Sequence, residues 1–109
     1  MALPLNVFKT VTKIATTSPV GIYTAPTGYT GVVLLAQAAN IDGNSHSISF
    51  SHQRSSTTTE IVKDFAIPAN DTASLLTGKL VLESGDVLVL SASDSTNIKF
   101  IGSILETLN

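Results

Sequence analysis

No cysteine and no tryptophan occur among the 109 residues, and aromatic side chains make up only 6%. Without thiols there is no disulfide, no thiolate metal site and no cysteine nucleophile. Charge is scarce too. Only 13% of residues are charged, and six Lys and Arg against eight Asp and Glu give a net charge of -2. Nucleic-acid binders normally carry a basic face, so no nucleic-acid partner is expected. No stretch reaches the ~18 consecutive apolar residues of a membrane helix. The longest near-apolar run, 31–39, is interrupted by Gln37, so no membrane partner is expected either. The opening MALPLNVFKT lacks a basic start and does not read as a secretory leader, which points to synthesis and retention in the cytoplasm.

What the chain does have is hydrophobic residues, at 43%, and 27 serines and threonines. That balance excludes intrinsic disorder and fits one domain, 1–109, with its own core. The polar surface is neutral and hydrogen-bonding, as suits a β protein or a molecule packed among copies of itself. Turn signals recur at Ser18-Pro19, Ala25-Pro26-Thr27-Gly28, Asp42-Gly43-Asn44, Pro68-Ala69-Asn70-Asp71, Thr77-Gly78, Ser84-Gly85-Asp86 and Ser93-Asp94-Ser95. Between them lie short runs of Val, Ile, Leu, Thr, Phe and Tyr. The pattern predicts an all-β fold of about eight strands: 7–15, 20–24, 31–39, 46–53, 58–67, 79–83, 87–92 and 98–105. Two packed antiparallel sheets result, a sandwich of jelly-roll or immunoglobulin-like type. Thr72–Leu76 is a short helical turn or an extended loop.

Strand faces can be assigned from alternation. His46, Ile48, Phe50 and His52 form one face, with Ser45, Ser47, Ser49 and Ser51 opposite. In 58–67, Ile61, Lys63, Phe65 and Ile67 should point inward. Three runs do not alternate: Val32–Leu35, Leu80–Leu82 and Val87–Leu90. An antiparallel sheet usually shows one face to water, so the second apolar face of these runs predicts a covering subunit. The expected interface residues are Val33, Leu35, Val81, Val87 and Val89. Arg54, Ser55, Ser56 and Thr57, at the tip of a hairpin, form a candidate contact loop.

Chemical motifs are missing. His46 and His52 lie six residues apart, roughly 20 Å along a strand, too far to share one ion. No metal and no cofactor are therefore expected. The carboxylates mostly fall at turns, where Asp caps its own backbone. There is no nucleophile elbow, phosphate loop or dinucleotide glycine pattern, so no catalytic residue is assigned and the chain is not expected to be an enzyme. Tyr23 and Tyr29 bracket a turn and are the candidate glycan contacts.

Two longer segments carry a family likeness. One is Ile22-Tyr23-Thr24-Ala25-Pro26-Thr27-Gly28 leading into 34–43. The other is Ile67-Pro68-Ala69-Asn70-Asp71, then 75–86, closing with Ile101-Gly102-Ser103-Ile104-Leu105-Glu106. The chain resembles a group of small structural proteins from particles of tailed bacteriophages, including those infecting marine cyanobacteria. The resemblance implies a non-enzymatic virion component made in the host cytoplasm, in many copies. It implies similarity to capsid decoration proteins or to neck and tail accessory proteins. The expected partners are further copies of the chain, as a homo-oligomer with a trimer favoured, and other virion proteins such as the major capsid protein. The alternative is a tail-fibre accessory protein that binds host-surface carbohydrate.

Overall fold

The computed structural model describes residues 5–109. Met1–Pro4, the start of the segment read for a leader, lie outside the described residues. The described residues form nine strands and no helix. In chain order the strands are β1 (Asn6–Ile14), β2 (Val20–Thr24), β3 (Tyr29–Asn40), β4 (His46–Arg54), β5 (Thr57–Ile67), β6 (Thr72–Ser74), β7 (Leu80–Leu82), β8 (Val87–Ala92) and β9 (Ile98–Leu108).

One antiparallel sheet has the order β1-β9-β3-β6, with β7 also on β3; the other has the order β2-β8-β4-β5. Pairing is nested: β1 with β9, β2 with β8, β3 with β6 and β7, and β4 with β5. A long hairpin wrapped around a core gives this order, which is that of a jelly roll. Of the two architectures expected from the turn spacing, the strand order selects this one. The region 72–76 is neither a helical turn nor a loop. Thr72–Ser74 pairs with Gln37–Ala39 as β6, and the Leu75 amide donates to the Ala36 carbonyl at 2.8 Å.

The core lies between the two sheets. Ile48, Phe50, Leu88 and Leu90 come from one sheet, and Val33, Ile98, Phe100 and Ile104 from the other. The Phe50 and Phe100 rings sit 5.4 Å apart and tilted at 31°, within the favourable range for an aromatic pair. Gly102 lies beside Phe100. A Cβ there would come within 3.0 Å of the ring, so the absent side chain makes room for the aromatic.

Two bulged strands depart from strict alternation. Between β4 and β5 the register shifts on both sides of Phe50, so Ile61 and Asp64 are extra residues. Asp64 adopts a positive φ of 49°, and its amide donates to the Ser49 hydroxyl at 2.9 Å. Each extra residue reverses the parity of the residues after it. Val62, read as outward, therefore stands opposite Phe50 on the inner side. Lys63, read as inward, lines the outer face of its sheet with Ser49, Ser51 and Glu60. Phe65 shares the inner side with Ile48 but remains 46% exposed. It sits at an open seam where Ile61, Val62 and Phe65 face Leu75, Leu76 and Leu80 across a cleft of about 510 Å³.

Candidate functional site: an apolar sheet face and two polar clusters

The feature least expected of an isolated sandwich is the outer face of the β1-β9-β3 sheet. In β9 the alternate residues Ile98, Phe100, Gly102, Ile104 and Glu106 are buried, so Lys99, Ile101, Ser103, Leu105 and Thr107 point outward. Residues directly opposite on antiparallel strands share a face. Phe8 pairs with Leu105, Leu105 with Val32, and Val32 with Val81. This is one apolar row across four strands, about 14 Å wide at the usual strand spacing. Phe8 is 75% exposed and Val81 56%. Leu35, Ile101 and Ile14 extend the apolar surface beyond it, and all are exposed. At the Ile14 end, Thr12, Lys13, Ile14, Ala39, Lys99 and Ile101 border a hollow of about 600 Å³. Among these outward positions Lys99 carries the lone charge. The outer face of the other sheet differs: Ser49, Ser51, Gln53, Ser91, Glu60 and Lys63 line it.

The five interface residues read from sequence do not form one patch. Val33 is 0% exposed and belongs to the core. A bulge at Leu34 is the cause, since the β3–β9 register shifts between Val33 and Leu35. Val33 thus points in while Leu35 points out. Val81 and Leu35 lie on the apolar face just described. Val87 and Val89 are half-buried on the opposite sheet. The sequence reading missed Phe8, Leu105 and Ile101. The alternation in 98–105 was visible in the sequence, but which of its two sides faced the core was not.

Two of the edge strands are guarded. The edge strand β1 turns Lys9 and Lys13 to the inner side, opposite Ile104 and Phe100. The edge strand β5 carries the bulges, Lys63 and the left-handed Asp64. Inward charges and bulges are what discourage strand addition at an edge.

One polar cluster closes the end of the sandwich at the β4–β5 hairpin. Asp86 is buried, and its carboxylate accepts from Arg54 Nε at 2.8 Å and Nη2 at 2.7 Å. It also accepts from the Glu83 amide at 2.9 Å, and His52 Nε2 lies at 2.9 Å. The bonds from Arg54 hold its carboxyl well below the usual range against the opposing effect of burial, with help from His52 and the Glu83 amide. Gly85, at φ 89°, completes the turn that brings Asp86 back onto Glu83, a conformation that costs a side chain about 1–3 kcal/mol. Arg54 is therefore committed to a partner within the molecule. Ser55 and Ser56 form a tight two-residue turn closed by Arg54 opposite Thr57, with Ser55 at φ 55°. All four residues of the contact loop expected from sequence, Arg54, Ser55, Ser56 and Thr57, are exposed, with Arg54 also paired to Asp86.

The candidate glycan pair fares similarly. The Tyr23 hydroxyl donates to the buried Glu106, whose other oxygen lies 3.3 Å from Lys9 Nζ. Gly31 leaves the space for this reach, because a Cβ there would lie 3.3 Å from the hydroxyl. Tyr29 is half-buried opposite Leu108. Burial first, then the bond to and the charge of Glu106, push the Tyr23 phenol above its ordinary value. A raised pKa contributes stability that is intact below about pH 10 and is lost as pH rises past it. Tyr23→Phe is expected to cost about 1.5–2 kcal/mol at neutral pH. It should also remove the alkaline fall-off, measured by urea unfolding at pH 7 and above pH 10.

A second cluster lies at the other end of β4, where the β3–β4 and β8–β9 loops meet. His46 Nε2 is 2.7 Å from Asp42 Oδ2 and 3.3 Å from Asp94 Oδ2. The bond to His46 is the main cause holding the Asp42 carboxyl below its ordinary value; for Asp94 it is the bond from Asn97. Beneath them the Asn40 side chain is buried. It donates to the carbonyls of Asn44 at 2.8 Å and Ile67 at 3.0 Å, and accepts from the Asp42 amide at 3.0 Å. The two histidines sit in separate clusters at opposite ends of one strand, as their spacing implied. The sequence reading compared them with each other and missed the carboxylates that approach each one.

No protein-family model and no curated protein sequence matches the chain. Among solved structures, the fold is similar to a chain of the acid-stable capsid of the Helicobacter pylori bacteriophage KHP30. The TM-score is 0.58 at 12% identity, covering 96% of this chain and 89% of that one. A chain from Bacillus endospore appendages, described as disulfide-linked pili, aligns at TM-score 0.41 and 12% identity, covering 95% and 88%.

Proposed function

We propose that this chain is a non-enzymatic structural component of a tailed-phage particle. In this reading it is a capsid decoration protein that associates with copies of itself, as a trimer, and seats on the major capsid protein. The observation that carries the reading is the outer face of the β1-β9-β3 sheet. Its row Phe8, Leu105, Val32 and Val81 is apolar across four strands, with exposed Leu35, Ile101 and Ile14 around it. Contiguous apolar surface on a soluble protein marks a place of association. A face with one charge is cheap to desolvate, and symmetry repeats each weak contact many times. The jelly-roll fold shared with a phage capsid chain supports a place in the virion. The inward lysines of β1 and the bulges of β5 favour face packing over strand exchange at those two edges. The tail-fibre alternative has less behind it, since Tyr23 spends its hydroxyl on Glu106.

The test is sedimentation of the purified protein, alone and with particles of its phage that lack it. A closed trimer and saturable binding to the capsid are the expected results. A monomer at every concentration, with no uptake by particles, would overturn the proposal.

A further inference from the structure

We propose that Asp42, His46 and Asp94 form a binding site for one divalent transition cation of the zinc class. The cation would clamp together the two loops that carry the chain between sheets at one end of the sandwich. This inference is independent of the role in the particle, because the site lies at the loop end and not on the apolar face.

The argument starts from ligand geometry. His46 Nε2 and one carboxylate oxygen from each aspartate all lie within 4.8 Å of one another. A tetrahedral cation with bonds of about 2.1 Å holds its ligand atoms about 3.4 Å apart. His46 and Asp94 are already at 3.3 Å. His46 and Asp42, at 2.7 Å, need to part by about 0.7 Å to reach that tetrahedral spacing. A small side-chain rotation supplies that.

Valence supplies a separate reason. Nε2 of an imidazole carries at most one proton, whatever the charge of the ring. Two carboxylate oxygens converge on that nitrogen, which can donate to only one of them, and Asp94 Oδ2 takes its hydrogen bond from Asn97 instead. A cation would serve all three atoms, leaving water in the fourth position.

The surroundings are built to hold the ligands. Asp42 Oδ1 accepts from the Gly43 amide at 2.7 Å, and Asp94 Oδ2 accepts from Asn97 Nδ2 at 2.5 Å. Such outer bonds orient metal ligands. The loops are also tied on either side of the cluster. The Ile41 amide donates to the Asn97 carbonyl at 3.0 Å, and the Ser47 amide to Ser93 Oγ at 2.9 Å. One imidazole with two carboxylates favours Zn²⁺ over Mg²⁺ and Ca²⁺, which prefer all-oxygen shells.

The experiment is equilibrium dialysis of the whole chain against Zn²⁺ alone, paired with thermal unfolding and histidine-ring NMR. One Zn²⁺ per chain is expected, with the His46 ring signals moving and those of His52 staying in place. Free Zn²⁺ at about 100 times its dissociation constant should raise the folded-to-unfolded ratio about 100-fold. Mg²⁺ should do neither. His46→Gln and Asp94→Asn, checked by circular dichroism for the native fold, should each weaken binding at least about tenfold. Absence of stoichiometric binding up to about 1 mM Zn²⁺ overturns the site. So does binding that survives in His46→Gln, or that is lost in His52→Gln instead. Should His46→Gln fail to fold, the ring signals of the unaltered protein and Asp94→Asn still decide the matter.

Discussion

Asp86→Ala is expected to destabilise the protein by about 3 kcal/mol at neutral pH, because the buried carboxylate accepts charge-assisted hydrogen bonds from the half-exposed Arg54 and from His52 and the Glu83 amide. For a domain of this size the unfolding midpoint should fall by on the order of 15 °C. Three sets of donors would lose an acceptor together: the Arg54 guanidinium, which would keep only the Glu83 carboxylate at 3.3 Å, His52 and the Glu83 amide. The Glu83 amide belongs to the turn into β8, so register at that end would loosen as well. The effect depends on pH in a stated direction. Because the folded protein holds the Asp86 carboxyl below its ordinary value, its contribution is complete above the usual carboxylate pKa of about 4 and declines as pH falls below it. The difference between the parent and Asp86→Ala should therefore be largest near pH 7 and narrower at pH 3. Guanidinium unfolding at the two pH values measures it. An equal difference at both would show that packing, not charge, is the source.

Arg54 and Asp86 illustrate how far the sequence could be read. Thirty-two residues separate them, and neither alternation nor turn chemistry joins positions so distant. The sequence placed Asp86 in a tight turn, and it does cap the Glu83 amide there. The same carboxylate also anchors the neighbouring hairpin, which needed the tertiary fold to be seen. Glu106 and Asn40 are similar cases. Each is a polar residue at the end of a strand whose side chain is buried, and composition gives no sign of it. The strands themselves were legible, because their runs of Val, Ile, Leu and Thr are bounded by Gly, Pro, Asn and Asp turns. The serine face of β4 was legible from its period of two.

What alternation misjudged was any strand carrying an extra residue. Ile61 and Asp64 in β5, and Leu34 in β3, shift the parity of their neighbours. That is why Lys63 faces outward and Val33 inward. A bulge is specified by the pairing of two strands, so one strand read alone does not announce it. The surplus of apolar residues does place two of the five named positions on an outer surface. Val81 and Leu35 are exposed, and the structure joins them to Phe8, Leu105 and Val32 in a single face. Val87 and Val89 show the weakness of the same signal, because they lie half-buried on the sheet opposite.

Two phenylalanines separate folding from assembly. Phe50 is 0% exposed and stacks against Phe100 in the core. Phe50→Ala should cost about 3–5 kcal/mol, the transfer energy of the ring plus the cavity left between the sheets. Phe8 is 75% exposed on the edge strand of the apolar face. Phe8→Asp removes almost no buried area within the molecule, so its unfolding free energy should stay within about 0.5 kcal/mol of the parent. In the proposed assembly the order reverses. A carboxylate placed beside Leu105 and Val32 would have to be desolvated without a partner in every copy, which costs several kcal/mol per contact. Phe8→Asp is therefore expected to sediment as a folded monomer and to bind capsids at least about 100-fold more weakly, a difference of about 2.7 kcal/mol. If Phe8→Asp assembles and binds as the parent does, the apolar face is not the contact surface. A second charge at Val81, at the far end of the same row, provides the check on a different strand, since β7 and β1 are separated by β3 and β9.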